Sequence, residues 1–539
     1  MNKFIRGTIV TVGLLLCTIV LLLNIFIIAK IDDSSVEARE RVKLEIYNLK
    51  YLIITFGIIA IILIGSSKLK RIFKSQKLKM IGIGSILIIY VLLQILWINK
   101  INAFPSYDQE RVYDTAVLMY EGRTEDMLKS EYLEKYPQQI TLATLYVGIF
   151  KMFNSTNILI LQYINAIANA VTILAIILIS NQLGKKYQTN KVRTMLISIS
   201  FLTLPLLSTF IYGDILSIPM CMFAIYFIMK YSESTKIRFA IISMILMAAA
   251  YISRMNNLIY IIALTIYLCL DILKIEQKSI QEILKKIVII ILFVVVSMLP
   301  ARVIKSYWQH KLQLEKENKF PTMGFVYMGM QEGERAKGWY NQEAELGFKD
   351  HEVAEKTYKI KIQERINHFI SHPMYFIEFY AKKTASMWAE NTYASLWYNK
   401  GHNFGIVGME ETIEEKAMLA YQTRETDKMV DSLMNSVQIW QKAIVLIIFS
   451  WTILVLVKYR KNLSNEILLL VTVFIGGFLF HTIWEAKSRY IISYIVVLIP
   501  ISVISIQNFI LNFIKRIKAR KRKNGNGEKN EIINSNSNL

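Results

Sequence analysis

The chain has 539 residues, of which 54% are hydrophobic and only 19% are charged, and its formal net charge is +22. This composition is too apolar for a set of soluble domains. The basic residues lie beside apolar segments rather than in one continuous patch, which argues against nucleic-acid binding.

The apolar residues come in blocks long enough to cross a bilayer, which takes roughly 20 helical residues. The first block could also be a cleaved signal peptide, because Lys3 and Arg6 precede it, but it continues for a full span length without an evident cleavage site. The sequence therefore predicts an all-α polytopic membrane protein with about twelve transmembrane helices. We place them near residues 7–29, 51–66, 80–98, 157–182, 194–212, 215–230, 238–252, 258–274, 285–301, 439–458, 465–484 and 490–513.

Three basic clusters border these blocks, within residues 68–79, 185–193 and 515–523. Cytoplasmic loops carry an excess of Lys and Arg, so these clusters are predicted to lie inside. An even number of crossings then places both termini in the cytoplasm of a multi-pass plasma-membrane protein.

The apolar segment Ile140 to Phe153 is too short for an ordinary span. Counting it as one would move Lys185 to Arg193 outside, so we predict a juxtamembrane or re-entrant helix on the outer side. The predicted organisation has five parts: an N-terminal transmembrane hairpin (1–79), a transmembrane catalytic module with the outer loop 99–139 (80–301), a large, mainly helical extracytoplasmic domain (302–437), C-terminal transmembrane helices (438–514) and a basic, disordered cytoplasmic tail (515–539).

Two acidic residues near predicted outer span ends are candidates for chemistry. Asp108 follows the third span, and Asp214 lies in a very short outer turn. A carboxylate beside the membrane is costly unless it has a partner or a task. The alternative is that both are ordinary loop acids.

Basic residues occur near the same surface, where the charge bias of cytoplasmic loops does not explain them: Arg254, Lys487 and Arg489. Arg matches phosphate oxygens with a bidentate fork, so a lipid-phosphate site is one use. The alternative is snorkelling at the interface or, for Lys487, a salt bridge to Glu485.

The predicted outer domain contains the aromatic motifs Gly338-Trp-Tyr-Asn and Trp388-Ala-Glu-Asn-Thr-Tyr. Aromatic faces suit sugar rings, but Trp and Tyr also gather at membrane interfaces. His368 and His372 have the spacing of a helical metal pair, but His-Glu-x-x-His is absent and Pro373 marks the helix end, so no metal site is expected.

The order of several short stretches resembles the GT-C superfamily of membrane glycosyltransferases, in particular the protein O-mannosyltransferases and aminoarabinose transferases of glycosyltransferase family 39. The stretches are Phe104-Pro-Ser-Tyr-Asp108, Tyr136-Pro-Gln-Gln, the short helix ending Phe150-Lys-Met-Phe, Asp214, and Arg489-Tyr490. The chain departs from that pattern in three respects. Its acidic loop follows the third span, Gln109 interrupts the Asp-Glu pair, and the Ser-Arg usually found before the second Asp is missing.

The resemblance implies that an acceptor hydroxyl attacks the anomeric carbon of a polyprenyl-phosphate sugar, with inversion. It assigns Asp108 as the group that orients or deprotonates the hydroxyl, and Arg254 and Arg489 as stabilisers of the leaving phosphate. The other expected substrate-binding residues are Asp214, Asn256, Lys487, Tyr490, Tyr136, Gln138 and Trp339.

The partners implied by this assignment are the polyprenyl-phosphate-sugar donor, an envelope glycan or lipid acceptor and membrane lipids, with no nucleic acid. No cofactor is expected, and a divalent cation stays open. Two alternatives also stay open: a flippase or transporter for a lipid-linked glycan, and a glycan polymerase or ligase.

Overall fold

The computed structural model describes residues 2–32, 40–72, 76–128, 132–272, 280–314, 319–345, 350–400 and 413–505. This part of the chain is helical apart from one two-stranded sheet, short 3₁₀ turns and loops. The α-helices, in chain order, are α1 (Asn2–Phe26), α2 (Leu49–Ile72), α3 (Gln76–Ile101), α4 (Asp108–Glu121), α5 (Tyr132–Lys135), α6 (Ile140–Phe153), α7 (Ile158–Leu183), α8 (Lys191–Ser200), α9 (Thr203–Leu206), α10 (Asp214–Ser234), α11 (Ile237–Ser253), α12 (Leu258–Ile272), α13 (Ile280–Lys311), α14 (Thr322–Gly329), α15 (His351–Ser371), α16 (Pro373–Trp388), α17 (Ile413–Lys458), α18 (Asn465–Ile483), α19 (Ile492–Val496) and α20 (Ile499–Ser502).

Ten helical segments in these ranges are long and apolar enough to cross a membrane. They lie in α1, α2, α3, α7, the α8–α9 segment, α10, α12 with its preceding turn, α13, α17 and α18. This confirms the predicted all-α polytopic membrane class. The predicted tail 515–539, with its basic cluster, lies outside the described residues.

Two of the twelve predicted spans are not among these ten segments. Helix α11, in place of the span predicted at 238–252, has 17 residues. The described part of the segment predicted as the last span, residues 490–505, is broken into the short helices α19 and α20, and it is mostly buried. It reaches the far end of the bundle, where Ile504 pairs with Thr189.

A β-hairpin that the sequence analysis did not predict follows α1. Strands β1 (Ile27–Asp32) and β2 (Arg41–Ile46) pair antiparallel. Polar and apolar residues alternate in Arg41-Val-Lys-Leu-Glu-Ile, which is the period of a strand. The predicted span 7–29 is accordingly too long, because the helix ends at Phe26.

The helix ends that carry the candidate residues lie at one end of the bundle, which we call the loop face. Gln162, near the start of α7, donates to the carbonyl oxygens of Ala103 (2.8 Å) and Thr209 (3.2 Å). The end of α3, the start of α7 and the segment before α10 are therefore neighbours. The segment after α16 joins them, because the Asn399 side chain donates to the Leu206 carbonyl (2.7 Å).

The short helix α6 has the bounds that the sequence predicted, Ile140–Phe153. Its two ends both contact the loop face: Thr141 donates to the Ile252 carbonyl (2.8 Å), and Tyr120 of α4 donates to Asn154 (3.1 Å). Helix α6 thus does not cross the bundle, which confirms the predicted half-span helix.

Helices α2, α3 and α13 form the outside of the bundle. Their large apolar side chains are widely exposed, as Ile61 (70%), Leu92 (53%) and Ile291 (56%) illustrate. Exposed apolar surface of this extent is unfavourable in water and favourable in lipid. In contrast, α7 and α17 are mostly buried and form the centre of the bundle.

A cysteine-labelling experiment tests which face lies outside. Asn367→Cys on exposed α15 should react with a membrane-impermeant thiol reagent on intact cells, whereas Lys236→Cys, in the exposed turn between α10 and α11, should not. Cys269→Ser removes the exposed native thiol, since Cys17 and Cys221 are buried. Labelling of both variants in detergent is the control, and the reverse pattern in cells would invert the orientation.

Candidate functional site

The site is centred on the carboxylate of Asp214, the first residue of α10. Gly213 precedes it with a φ of 80°, and a side chain there would collide with the Ser253 carbonyl at the end of α11. The close approach brings Arg254, which follows Ser253, to Asp214. Its Nε lies 3.0 Å from Oδ1 and its Nη1 lies 3.0 Å from Oδ2, which is the bidentate geometry of a strong ion pair.

A second arginine completes this ion pair. Arg489, beyond the end of α18, lies with Nη1 3.4 Å from Oδ2 of Asp214 and is only 3% exposed. Burial disfavours its charge, but Tyr398 and Asp214 more than offset this, so the pKa of Arg489 is raised and the guanidinium stays protonated. Aromatic rings surround the guanidinium carbon: Phe210 (4.3 Å from ring centroid), Tyr212 (5.2 Å), Tyr398 (5.2 Å) and Tyr490 (5.4 Å).

A small pocket opens beside this pair. Its lining includes five residues that were predicted to bind substrate: Asp214, Arg254, Asn256, Arg489 and Tyr490. The Nε of Arg489 is buried and has no hydrogen-bond partner among the described residues. A buried donor without a partner costs about 1–3 kcal/mol, so an anion in the pocket would relieve it.

Asp108, the predicted catalytic residue, begins α4 on the same face. Its position favours a carboxylate, because helix N-termini carry positive partial charge. The side chain is exposed, but surrounding protein raises its pKa by desolvation, while Lys487 and Arg489 lower it. We call the space beside Asp108, which Tyr212, Lys487 and Arg489 border, the recess.

The recess wall is made of tyrosines. The Tyr212 hydroxyl, which also interacts with Asp108, lies 3.1 Å from the Tyr132 hydroxyl and accepts a hydrogen bond from Gln139 (2.5 Å). Tyr136 contributes to the wall and donates to Glu345 (3.2 Å). Gln139 therefore contacts the site directly.

The backbone carbonyl oxygen of Gln138, the residue predicted for substrate binding, accepts a hydrogen bond from the Thr141 hydroxyl (3.0 Å). The Tyr136-Pro-Gln-Gln motif is thus in the right place, but the side chain that reaches Tyr212 is that of Gln139. Sequence alone could not choose between two adjacent glutamines.

Lys487 is paired with Glu40 (2.7 Å) rather than with Glu485. Glu40 precedes β2 and is 2% exposed. It also lies 3.2 Å from Nη1 of Arg335 and accepts from the Tyr398 hydroxyl (3.3 Å). Burial would raise the pKa of Glu40, but Lys487 and Arg335 bring it below its ordinary value. Glu40 was not among the site residues predicted from the sequence.

Glu485 is a further carboxylate of this region. Burial raises its pKa to about 7, with Lys487 opposing the rise and Asp108 adding to it. It is therefore a group that changes charge near neutral pH.

Three aromatic residues in the motifs of the predicted outer domain are packing residues. The ring of Trp339 is fully buried, and its indole nitrogen donates to Ser386 (2.8 Å). Trp388 and Tyr393 are likewise buried. A ring with no exposed face cannot stack on a sugar, so Trp339 is corrected from a substrate-binding residue to a structural one.

No group of three metal-binding side chains forms among the residues that the structure covers. His368 and His372 do lie together on α15 and at its end, with ring centroids 4.4 Å apart. Two imidazoles without a third ligand do not make up a structural or catalytic zinc site.

A family model described as "Conserved hypothetical integral membrane protein" matches residues 3–510. The match includes every residue of the site described above. A search of curated proteins gave no match.

The charge of Glu485 gives a testable effect on stability. Its pKa is raised in the folded state, so its contribution to stability is present at low pH and is lost as the pH rises through about 7. Glu485→Gln mimics the protonated form and should gain stability over the wild type between pH 5 and pH 8, by at most on the order of 3 kcal/mol. The measurement is thermal unfolding in detergent at both pH values.

The control is Glu364→Gln, on the exposed side of α15. The difference between its unfolding temperature and that of the wild type should be the same at pH 5 and pH 8. If the unfolding temperatures of the wild type and Glu485→Gln differ by the same amount at pH 5 and pH 8, the prediction is contradicted.

Proposed function

The chain belongs to the family of conserved hypothetical integral membrane proteins, and we propose that it is a membrane glycosyltransferase of the GT-C type. It moves a sugar from a polyprenyl-phosphate donor to an acceptor hydroxyl. The observation that carries this proposal is the convergence of Asp108 with the Asp214–Arg254–Arg489 cluster at one end of the helical bundle.

Asp108 supplies the base in this proposal. The acceptor oxygen bonds to the anomeric carbon while its proton passes to the Asp108 carboxylate, which is open to solvent in the recess. Desolvation raises its pKa, and a base is more effective when its pKa approaches the working pH. The attack comes from the side opposite the phosphate, so the anomeric configuration inverts.

Arg489 and Arg254 receive the leaving group. As the bond between the anomeric carbon and the phosphate oxygen breaks, its electron pair stays on that oxygen, and fixed cations nearby stabilise the charge. The buried Nε of Arg489 has no hydrogen-bond partner among the described residues, so it is available to the leaving phosphate. Asp214 keeps the two like-charged arginines together, so we assign it a positioning role and not direct contact with the donor.

A lipid-linked donor accounts for a transferase site within a membrane protein. The pocket lies at the ends of apolar helices, and Ile218 and Ile492 line it together with the arginines. Such a mixture suits a phosphate with a prenyl chain attached. With the basic clusters inside, the site faces outward from the plasma membrane, where an envelope glycan, lipid or polymer is the acceptor.

One departure from the protein mannosyltransferase pattern supports a non-protein acceptor. Gln109 is 3% exposed, and its Oε1 accepts a hydrogen bond from the backbone of Ile211 (3.1 Å). The position that would hold the second acid of an Asp-Glu pair therefore serves packing. A polymerase or ligase would use the same chemistry on a different acceptor, and product analysis distinguishes them.

A flippase is disfavoured by where the charges lie. Arg254, Arg489 and Asp214 meet at helix ends, whereas a carrier for a charged headgroup needs polar groups along its path. The two functions also respond differently to loss of a base.

Asp108→Asn tests the base directly. The amide keeps the size of the side chain but cannot accept the proton, so transfer from a polyprenyl-phosphate sugar should fall by about two orders of magnitude or more. Donor affinity and thermal stability should stay near those of the wild type. The measurement is release of free polyprenyl phosphate by purified protein.

Asp114→Asn is the matched control, since Asp114 is exposed on the same helix. It should transfer sugar at the wild-type rate. Transfer at the wild-type rate by Asp108→Asn would remove the assigned base, whereas no transfer by the wild-type protein would favour the flippase.

Arg489→Lys tests the phosphate site. A lysine keeps the charge, but its donors all lie on one nitrogen, so it cannot contact Asp214 and also place a donor at the position of the Arg489 Nε, and turnover should fall by roughly tenfold or more. Arg254→Lys should act in the same direction, because it breaks the bidentate pair with Asp214. Arg123→Lys, in an exposed ion pair with Asp126, is the control. Full activity of both site variants would refute a role in holding phosphate.

A further inference from the structure

The β1–β2 hairpin is attached to the site and does not merely connect two spans. The Ala29 amide donates to the Ala389 carbonyl (3.1 Å), and the Val42 amide donates to the Arg335 carbonyl (2.8 Å). From the centre of the bundle, the Gln438 side chain donates to the Ala29 carbonyl (2.7 Å). Both strands are therefore fixed against the segments that surround the recess.

The hairpin brings one carboxylate into the recess. Glu40, next to the start of β2, is buried against Lys487 (2.7 Å), Arg335 (3.2 Å) and the Tyr398 hydroxyl (3.3 Å). The three partners come from different segments, and Tyr398 also lies against Arg489. Removing one partner of a buried ion pair is strongly destabilising, so this geometry is well determined.

Lys487 is the group that this contact controls. Its ammonium lies 5.3 Å from the Tyr398 ring centroid and 6.0 Å from that of Trp397. The same Trp397 ring stacks on Tyr107, the residue before Asp108 (5.8 Å between centroids). Without Glu40, the flexible lysine would lose its ion-pair partner, and Asp108, like Glu485, is a carboxylate near it.

We propose that Glu40 is a positioning residue of the transferase site: it holds Lys487 away from Asp108, so that the Asp108 carboxylate stays free to take a proton. This inference rests on the proposed function. It makes the β1–β2 hairpin part of the proposed active site.

The proposal predicts the direction of a change in pH dependence. The charged and titratable groups that act on Asp108 are Glu40, Tyr132, Tyr136, Tyr212, Tyr340, Glu485, Lys487, Arg489 and Tyr490. Loss of the Glu40 charge removes a repulsion and frees Lys487 to pair with Asp108. Both changes favour the ionised form of Asp108, which therefore becomes a weaker base.

The experiment compares the pH dependence of kcat/KM for the wild type, Glu40→Gln and Glu40→Asp, with a polyprenyl-phosphate sugar as donor. Glu40→Gln should move the acid limb of the kcat/KM–pH profile to lower pH by roughly one unit. It should also reduce the plateau value of kcat/KM. Glu40→Asp retains the charge and should restore the wild-type acid limb. A slower Glu40→Gln enzyme with an unmoved acid limb would overturn the proposal, since the residue would then serve structure alone.

Glu45→Gln is the control within the same hairpin, where it breaks the exposed ion pair with Lys30 (2.7 Å). It should leave both rate and acid limb unchanged. If it shifts the limb as Glu40→Gln does, hairpin docking in general is responsible and the proposal fails.

A stability measurement separates this proposal from the proposed function. Glu40→Gln, Lys487→Met and the double variant form a thermal-unfolding cycle that needs no activity. The effects of the two substitutions on thermal stability should be non-additive, as expected for contacting residues. Coupling together with no sugar transfer by the wild type would overturn the proposed function, whereas transfer without coupling would overturn only the role of Glu40.

Discussion

The pairing of Asp214 with Arg254 and Arg489 is the contact on which the site depends. It joins the start of α10, the end of α11 and the segment after α18, which are distant in sequence. Two guanidinium groups repel each other in a buried position, and the carboxylate between them removes that repulsion. If this contact were lost, the three helix ends would have no common polar partner, and the pocket between them would lose its shape.

Other buried polar groups likewise join helix ends that are distant in sequence. The ammonium of Lys383, on α16, donates to the carbonyl oxygens of Gly329 (2.6 Å), Thr482 (2.9 Å) and Trp484 (2.8 Å). It thereby fixes α16 to the end of α18, directly before Glu485. Hydrogen bonds of this kind are directional, unlike apolar packing. Polar groups at helix ends therefore shape the recess. The apolar, lipid-facing surfaces determine only that the helices cross the membrane.

The sequence predicted what depends on local composition and failed where distant residues must meet. The bounds of α6 and the location of Arg254 and Arg489 followed from apolar length and charge placement. Their partner did not, since Asp214 is 40 residues from Arg254 and 275 from Arg489. Glu40 was missed for the same reason. Trp339 was misassigned because a buried and an exposed tryptophan are identical in sequence.

The backbone before Asp108 shows how this network bears on the proposed chemistry. Tyr107 has a φ of 55° and a ψ of −132°, a conformation that costs a non-glycine residue on the order of 1–3 kcal/mol. Its ring stacks on Trp397 at an interplanar angle of 17°, and Trp397 in turn lies beside Lys487. The stacking holds a strained residue whose geometry sets the direction in which α4 begins. Trp397 therefore connects the backbone directly before Asp108, the base in the proposed function, to the ion pair of Lys487 with Glu40.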